Sequence, residues 1–451
     1  MTQRITIDPI TRLEGHGKIE IFLNAEGDVA NTYFQIPELR GFESFCVGRP
    51  VEELPLLTNR ICGVCPEAHH MAGAKAADAV YHVDPPRTAK NLRELLYSAF
   101  FVTDHTTHFY ALAGPDFVMG PDAPVAERNI LGVIHKVGLE IGGKVIQARK
   151  YGHAVIEMIG GRKIHPCTSI PGGLTKGITE DQRKEILEMG KWAVEFGQFS
   201  LKLFNDIVLG NKTYVDLILG DIYTHRTYYM GMVDENNHVN FYDGKVRVVG
   251  PDGKEFVKYE PKDYAQHIAE HVEPWTYLKF PYLKGVGWKG FTDGKDSGIY
   301  CATPLSRLNA ADGMATPLAQ AEYERFYSTL GGKPVHQRLA THWARLIELL
   351  YAAERWVELA SDPRGVATKV NLIVGTTNNY APISMSINKA ARSLIQKGTV
   401  VTEPMLNMIE MAFRSYDPCF GCATHSLPGQ MPLEVTIRNA DGEIVEMLKR
   451  N

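Results

Sequence analysis

Seven cysteines occur in the 451 residues, and four of them fall into two close pairs near opposite ends of the chain. Arg60-Ile61-Cys62-Gly63-Val64-Cys65-Pro66-Glu67-Ala68-His69 and Asp417-Pro418-Cys419-Phe420-Gly421-Cys422-Ala423-Thr424-His425 share one plan: two thiols three positions apart, then a histidine within the next turn. Thiolates at that spacing can point at one ion. Four such soft ligands suit zinc, iron–sulfur, or nickel and iron far better than magnesium or calcium. A single Cys-x-x-Cys is a weak signal, whereas two, each trailed by histidine, are a strong one. Cys46, Cys167 and Cys301 have no partner spacing and read as small core residues. So few cysteines, so grouped, indicate metal or catalytic usage and not a disulfide framework.

The bland alternative is a structural zinc site made of four cysteines. Such sites usually draw both ligand pairs from within a few tens of residues, yet about 350 positions separate Cys65 from Cys419. A large, well-cored chain also has little need of zinc to hold its ends. A thioredoxin-like reading is weaker still, because no βαβ pattern surrounds either pair.

The elements that must bring the pairs together are mainly helical. The chain opens as a hairpin, RITID then KIEIFL, with alternating apolar positions and a second turn at Asn24–Asp28. Thr179 and Gln182 form a capping-box signature, and Ile186, Met189, Ala193, Phe196, Ser200 and Leu203 recur at helical spacing, which predicts a long helix over 179–206. The same period predicts helices near 337–359, 88–112 and 127–158, and Thr402 with Pro404 starts another over 403–414 that leads to Asp417. KVNLIVG (369–375) reads as a strand. The stretch 225–300, rich in Tyr, Gly, Asp and Lys, reads as an α+β excursion on a long-helix bundle. The expected fold class is thus mainly α with α+β parts: a bundle core, an N-terminal β-hairpin and a small α+β insertion. It is divided as 1–60 (β-rich), 61–220 (helical core), 221–300 (insertion), 301–425 (helical core with the second cysteine motif) and 426–451 (extension).

With 44% hydrophobic and 22% charged residues the chain has an ordinary globular composition, and a formal net charge of −4 gives no electrostatic reason for a nucleic-acid partner. No apolar run approaches the roughly 18–20 residues that cross a bilayer, and MTQRITIDPI lacks a signal-peptide pattern, so a cytoplasmic protein is expected.

Together with Ile7-Asp8-Pro9-Ile10-Thr11-Arg12-Leu13-Glu14-Gly15-His16, the cysteine motifs resemble the large, catalytic subunit of [NiFe]-hydrogenases. The resemblance covers nearly the whole chain. It includes Arg40-Gly41-Phe42-Glu43, His108-Phe109-Tyr110 with Pro115-Asp116, Gly161-Arg162-Lys163-Ile164-His165-Pro166, and Thr376-Thr377-Asn378-Asn379. Cys-Ala-Thr-His and Pro304-Leu305-Ser306-Arg307-Leu308-Asn309 are most similar to the soluble multisubunit branch, whose members reduce NAD, a deazaflavin or viologen.

That resemblance implies a nickel–iron centre, its iron carrying carbon monoxide and cyanide, with Cys62 and Cys419 as terminal nickel ligands and Cys65 and Cys422 bridging to iron. The implied reaction is reversible heterolytic cleavage of dihydrogen, with the Cys419 thiolate accepting the proton and Glu14 relaying it. On its own, Glu14 reads as a surface carboxylate in a turn. The resemblance further places Glu43, a carbonyl near Tyr380 and His425 at a magnesium ion, His69 as a donor to a bridging sulfur, and Asp116 and Asp417 beside the open face of the centre. Without it, Glu43 reads as a solvated helix face, His69 as a core histidine and Asp417 as a turn residue before Pro418. It implies an iron–sulfur small subunit, because this chain lacks the cysteines for an electron wire of its own. Further carrier-reducing subunits are implied too, and a maturation endopeptidase that cuts after the histidine matching His425 and so removes 426–451. Leu433–Ile437 and Glu443–Val445 in that extension read as a hairpin.

One departure stands out. The family's Ala-Pro-Arg-Gly, followed by histidine well before the Thr-Thr-Asn-Asn segment, has only Asp362-Pro363-Arg364-Gly365 as a counterpart. Either Arg364 is the active-site arginine in a shortened loop, or this is the turn before the strand and the usual segment is absent; the second is preferred. Two further alternatives remain at this point: a quinone-site relative from respiratory complex I, which shares the fold but lacks the four thiols, and the zinc scaffold.

Overall fold

Alternating apolar residues place Ile19, Ile21 and Leu23 of strand β2 (Lys18–Leu23) in the core, with β1 (Arg4–Ile7) antiparallel beside it and Ile5 opposite Ile21. In this computed structural model, which describes residues 4–38, 41–361, 379–396, 401–416 and the strands at 433–438 and 444–450, the expected hairpin is two-thirds of a three-stranded sheet. The Asn24 side chain accepts the N–H groups of Glu26 and Asp28, closing the turn into β3 (Val29–Gln35). Only Val29 and Phe34 of that edge strand are buried, so its alternation is faint in the sequence.

Helix α1 (Phe42–Cys46) follows, then α2 (Pro66–Tyr81) and α3 (Arg87–Thr107), which runs into one wide turn over His108–Ala113. The helix expected over 127–158 is two, α4 (Ile130–Val137) and α5 (Leu139–Gly160), because Gly138 takes φ 93° and breaks the chain between two stretches of the same period. Helix α6 (Glu180–Phe204) carries the expected capping box, with Thr179 Oγ1 accepting from Gln182 N and Gln182 Oε1 from Thr179 N.

Between 228 and 301 lies the expected excursion. Strands β4 (Tyr228–Val233), β5 (Lys245–Val249) and β6 (Glu255–Tyr259) are antiparallel neighbours, extended by short strands at 238–239, 300–301 and 313–314. Helix α7 (Pro304–Ala310) lies directly on β4 at Gly231, where a Cβ would come within 2.8 Å of Arg307 Cα. The centre of the bundle is α8 (Thr341–Ser361), packed against α6 and α3 and apolar on nearly every side, yet burying Arg345 and Glu348 among its leucines. Helix α9 (Tyr380–Leu394) packs on β3 and on α10 (Glu403–Arg414), which keeps its expected bounds although Thr402 makes no side-chain cap bond. Strands 433–438 and 444–450 pair antiparallel, as the tail pattern suggests. The strand expected at 369–375 lies outside the described residues.

Helices α3 and α5 touch through Gly152: a Cβ there would meet Thr103 Cγ2 at 2.3 Å and Ala99 O at 2.9 Å. Gly152→Ala is therefore expected to lower stability by about 1–3 kcal/mol, despite alanine's better helix propensity. Chemical denaturation of the two proteins checks the sign.

Candidate metal centre

The first cysteine pair is shaped by its own backbone. Asn59 Nδ2 donates to Pro166 O (2.8 Å), and His165 Nδ1 donates to Asn59 O (2.9 Å), which ties the segment before Cys62 to the 162–166 loop. The chain then folds around the sulfur. Cys62 Sγ accepts the N–H groups of Val64 (3.2 Å) and Cys65 (3.3 Å). Cys65 is the N-cap of α2, with Pro66 at its first position, so both sulfurs lie by the positive end of a helix. Amide donors and a helix N-terminus both favour thiolate over thiol, the protonation state a soft metal requires. Cys62 is 2% exposed, Cys65 is half-buried, and Val64 between them is exposed.

Helix α2 carries the next groups inward. Glu67, buried in its first turn, is pushed up to about 8 by burial, with the charges of Asp104 and Cys62 acting in the same direction. His69 is buried one turn beyond Cys65, and its carbonyl accepts the Thr58 hydroxyl (2.8 Å). His70 is pulled down to about 4 by burial, so its neutral ring donates from Nδ1 to Pro55 O and accepts at Nε2 from Ser169 N–H.

A second set of buried polar groups faces the other end of the chain. On α8, Glu348 receives Arg307 Nε and Nη2, both at 2.6 Å, and His105 Nε2 at 3.0 Å. Burial would raise this carboxyl, but the Arg307 charge and the bonds from Arg307 and His105 outweigh it and hold it at about 2. Arg345, one turn earlier, donates to His105 Nδ1 (3.4 Å) and to Tyr416 O (3.1 Å). His108, neutral because burial and the nearby Arg345 and His342 pull it far down, donates from Nε2 to the same carbonyl at 2.7 Å. The last described residue before Asp417 is thus held by two donors from the bundle centre. Cys65, Asp104 and Glu348 all act on the hydroxyl of Tyr97, so this network and the first thiol pair share a neighbourhood.

The N-terminal loop joins from a third side. Arg12 Nη2 lies 2.5 Å from Asp116 Oδ1 and 2.9 Å from Asn407 Oδ1, while Nη1 donates to Leu112 O (2.8 Å). Arg414, on the last turn of α10, reaches Asp116 Oδ2 at 3.3 Å and also pairs with Glu410. Burial pulls Arg414 down to about 10, which leaves its guanidinium charged at neutral pH. Asp116 is therefore shared between two cations. Glu14 is half-buried two residues past Arg12.

Of the other expected site residues, Glu43 lies in the first turn of α1, with Oε2 inaccessible and without a hydrogen-bond partner, and Tyr380 is fully buried at the start of α9. Asp417, Cys419, Cys422, His425 and Arg364 lie outside the described residues. Among the described residues, no group of three or more ligating side chains assembles; Cys62 and Cys65 are half of the expected four-thiol set. Sequence reasoning misses Arg12, Glu67, His105, Arg345, Glu348 and Arg414. A charged residue inside an apolar helical stripe, as at 345 and 348, is the signal that could have found two of them.

Comparison with known proteins gives the centre its context. A family model described as nickel-dependent hydrogenase matches residues 40–130, and one described as HoxL-like matches residues 4–39. An iron-sulfur subunit of the F420-non-reducing hydrogenase of Archaeoglobus profundus is 43% identical over 99% of each chain, and the NAD-reducing hydrogenase HoxS subunit beta of Cupriavidus necator is 34% identical, again over 99% of each. The chain belongs to the nickel-dependent hydrogenase large-subunit family. A crystal structure of an NAD+-reducing [NiFe]-hydrogenase in the H2-reduced state superimposes with a TM-score of 0.86 at 33% identity, covering 94% of this chain and 100% of that one. A [NiFeSe]-hydrogenase from D. vulgaris Hildenborough shares the fold, with a TM-score of 0.70 at 21% identity over 94% of this chain and 100% of that one. This hydrogenase subunit is accordingly an enzyme of dihydrogen, which decides against the zinc scaffold and the quinone-site relative.

Removing one partner of a buried ion pair typically costs about 3–5 kcal/mol, so Glu348→Gln is expected to destabilise the metal-free chain by that order at neutral pH. Because the folded-state carboxyl sits near 2 against an ordinary 4.5, its contribution is present above 4.5 and is lost as pH falls toward 2. The gap between variant and wild type should close over that window. Denaturation curves at pH 7, 4 and 3 read it.

Proposed function

We propose that this hydrogenase subunit holds its nickel–iron centre with Cys62 and Cys419 as terminal thiolates and Cys65 and Cys422 as bridging ones. The supporting observation is the first pair itself, two sulfurs at the head of α2 with Cys62 accepting two backbone N–H groups. When bound, the metal pair, its iron carrying carbon monoxide and cyanide, would supply the Lewis acidity that splits dihydrogen. The chain's part is to move protons and exclude water. Cys419 accepts the proton as a thiolate, and Glu14 carries it outward. His69 donates to a bridging sulfur, which tunes the donor strength of that thiolate.

A magnesium ion is held by Glu43, His425 and the carbonyl of Tyr380. The buried, unbonded Oε2 of Glu43 supports this reading, since a carboxylate oxygen in that condition is explained by a cation. Asp417 is assigned to the open face of the centre. Asp116, engaged by Arg12 and Arg414, shapes that face through them. The alignment with the Archaeoglobus relative spans 484 positions against 451 residues here, so at least 33 of them have no counterpart in this chain. Room therefore exists for the family's Ala-Pro-Arg-Gly segment to be among the absent ones, and Arg364 is assigned to the turn.

Electrons leave through an iron–sulfur small subunit and then further subunits to NAD or another soluble carrier. That the relatives are single subunits of multisubunit hydrogenases, one of them NAD-reducing, favours this. Among the described residues, no helix is long and apolar enough to cross a membrane, in keeping with a cytoplasmic complex.

Elemental analysis with infrared spectroscopy of the assembled enzyme tests the centre. Nickel and iron with carbon monoxide and cyanide stretches are expected, and zinc alone would sink the proposal. Cys419→Ser should abolish dihydrogen uptake. Intact-mass measurement of the active enzyme should find the chain ending at His425 after endopeptidase cleavage; a mass that retains 426–451 counts against removal of the tail.

A further inference from the structure

We propose that Arg12 is the positioning residue for Glu14: its side chain, anchored on Asp116, Asn407 and Leu112 O, holds a strained loop that aims the Glu14 carboxylate at the centre. The inference rests on the relay role given to Glu14 above.

Residues 10–17 form a loop closed at its base by Ile10 N–H to Gly17 O (3.1 Å). Within it, Arg12 takes φ 55° and Gly15 φ 86°. The glycine adopts the left-handed region at little cost, but for arginine the same region is strained and persists only when neighbouring contacts impose it. Those contacts are visible. The Arg12 side chain is 10% exposed and reaches three acceptors on two elements, the 108–118 segment and α10, and no single-point cation could span them. The main acceptor, Asp116, is 2% exposed and is itself fixed by Arg414 and by Asn407 Nδ2 (3.3 Å). Neighbouring Thr11 is tied in as well, donating from Oγ1 to Glu410 Oε2 (3.1 Å) and accepting from Arg414 Nη2 (3.2 Å).

Leu13 and Glu14 are the two residues between the left-handed positions. Their direction follows from both flanking φ values. If Arg12 relaxed to the favoured region, the base of the loop would stay closed while Glu14 swung away from its place. Proton transfer is steep in distance, so a misplacement of about 1 Å is worth a large factor in rate.

The test uses the metal-loaded, assembled enzyme carrying Arg12→Lys, Glu14→Gln, both together, or Asn407→Leu, which keeps the branched outline but removes the acceptor for Arg12 and the donor to Asp116. Dihydrogen–deuteron exchange should fall roughly ten- to hundredfold in Arg12→Lys, approaching Glu14→Gln, and less in Asn407→Leu. The double variant should be no slower than Glu14→Gln. Nickel and iron content and the infrared bands should stay at wild-type values. In the metal-free chain, amide hydrogen exchange should rise within residues 10–17 and not in α3 or α8.

Wild-type exchange in Arg12→Lys and Asn407→Leu beside a slow Glu14→Gln would overturn the positioning role and leave the relay standing. Wild-type exchange in Glu14→Gln would remove the relay and this inference with it. Loss of metal in Arg12→Lys, or multiplying losses in the double variant, would make the anchor merely structural.

Discussion

One carboxylate holds the two ends of this chain together. Asp116, almost fully buried, lies between Arg12 from the N-terminal loop and Arg414 from the last turn of α10, residues some 400 positions apart in the sequence. Two cations on one buried anion would be unbalanced alone. Glu410 supplies the second negative charge, and Asn407 and Thr11 fill the remaining donor and acceptor positions. An isolated charge in such a place costs several kcal/mol, so the cluster is stable only when complete. That all-or-none character is what a site divided between chain termini needs: the loop bearing Glu14 and the helix leading to Asp417 are placed together or not at all.

The bundle centre repeats this logic on the other side. Glu348 and Arg345 sit on a helix whose neighbours are leucines, where dispersion and apolar burial supply the stability and a charge is a local penalty. The penalty is offset because α7 brings Arg307 and α3 brings His105, and α7 can approach only because Gly231 presents no side chain beneath it. The result is a rigid pair of donors, His108 and Arg345, on the carbonyl of Tyr416. Apolar packing alone would leave that peptide free to slide. Directional bonds fix it to within a fraction of an ångström, the precision a metal–thiolate site requires.

Much of this is legible in the sequence, and the reasons for the rest are physical. The capping box at Thr179, the bounds of α10 and the thiol spacing depend on short-range rules and can be read directly. The break at Gly138 is hidden because helical periodicity continues across it, and β3 because an edge strand with one weakly buried face barely alternates. The long-range anchors are less accessible still. Nothing local to Arg12 shows that its partners are Asp116 and Asn407, since that pairing exists only once the sheet, the wide turn and α10 have met.

Buried charge also shows how the elements around the centre are tied together. The helix surfaces carry many ion pairs, such as Lys202–Asp206, Lys212–Asp216 and Lys191–Glu188, which are solvent-screened and contribute little. Three sets of buried pairs are of another kind. Arg93–Asp78 locks α3 to α2, and Arg93 also holds the carbonyls of Ile170 and Gly173; Arg307–Glu348–His105 locks α7 and α3 to α8; Arg12–Asp116–Arg414 locks the N-terminal loop to α10. The first and the last join elements that carry or adjoin residues assigned to the centre, His69 on α2 and Glu14 two residues past Arg12. A fold selected for stability alone would gain by replacing such pairs with well-packed apolar side chains. Such pairs, set in an extensive apolar core, mark places where direction matters more than net stabilisation.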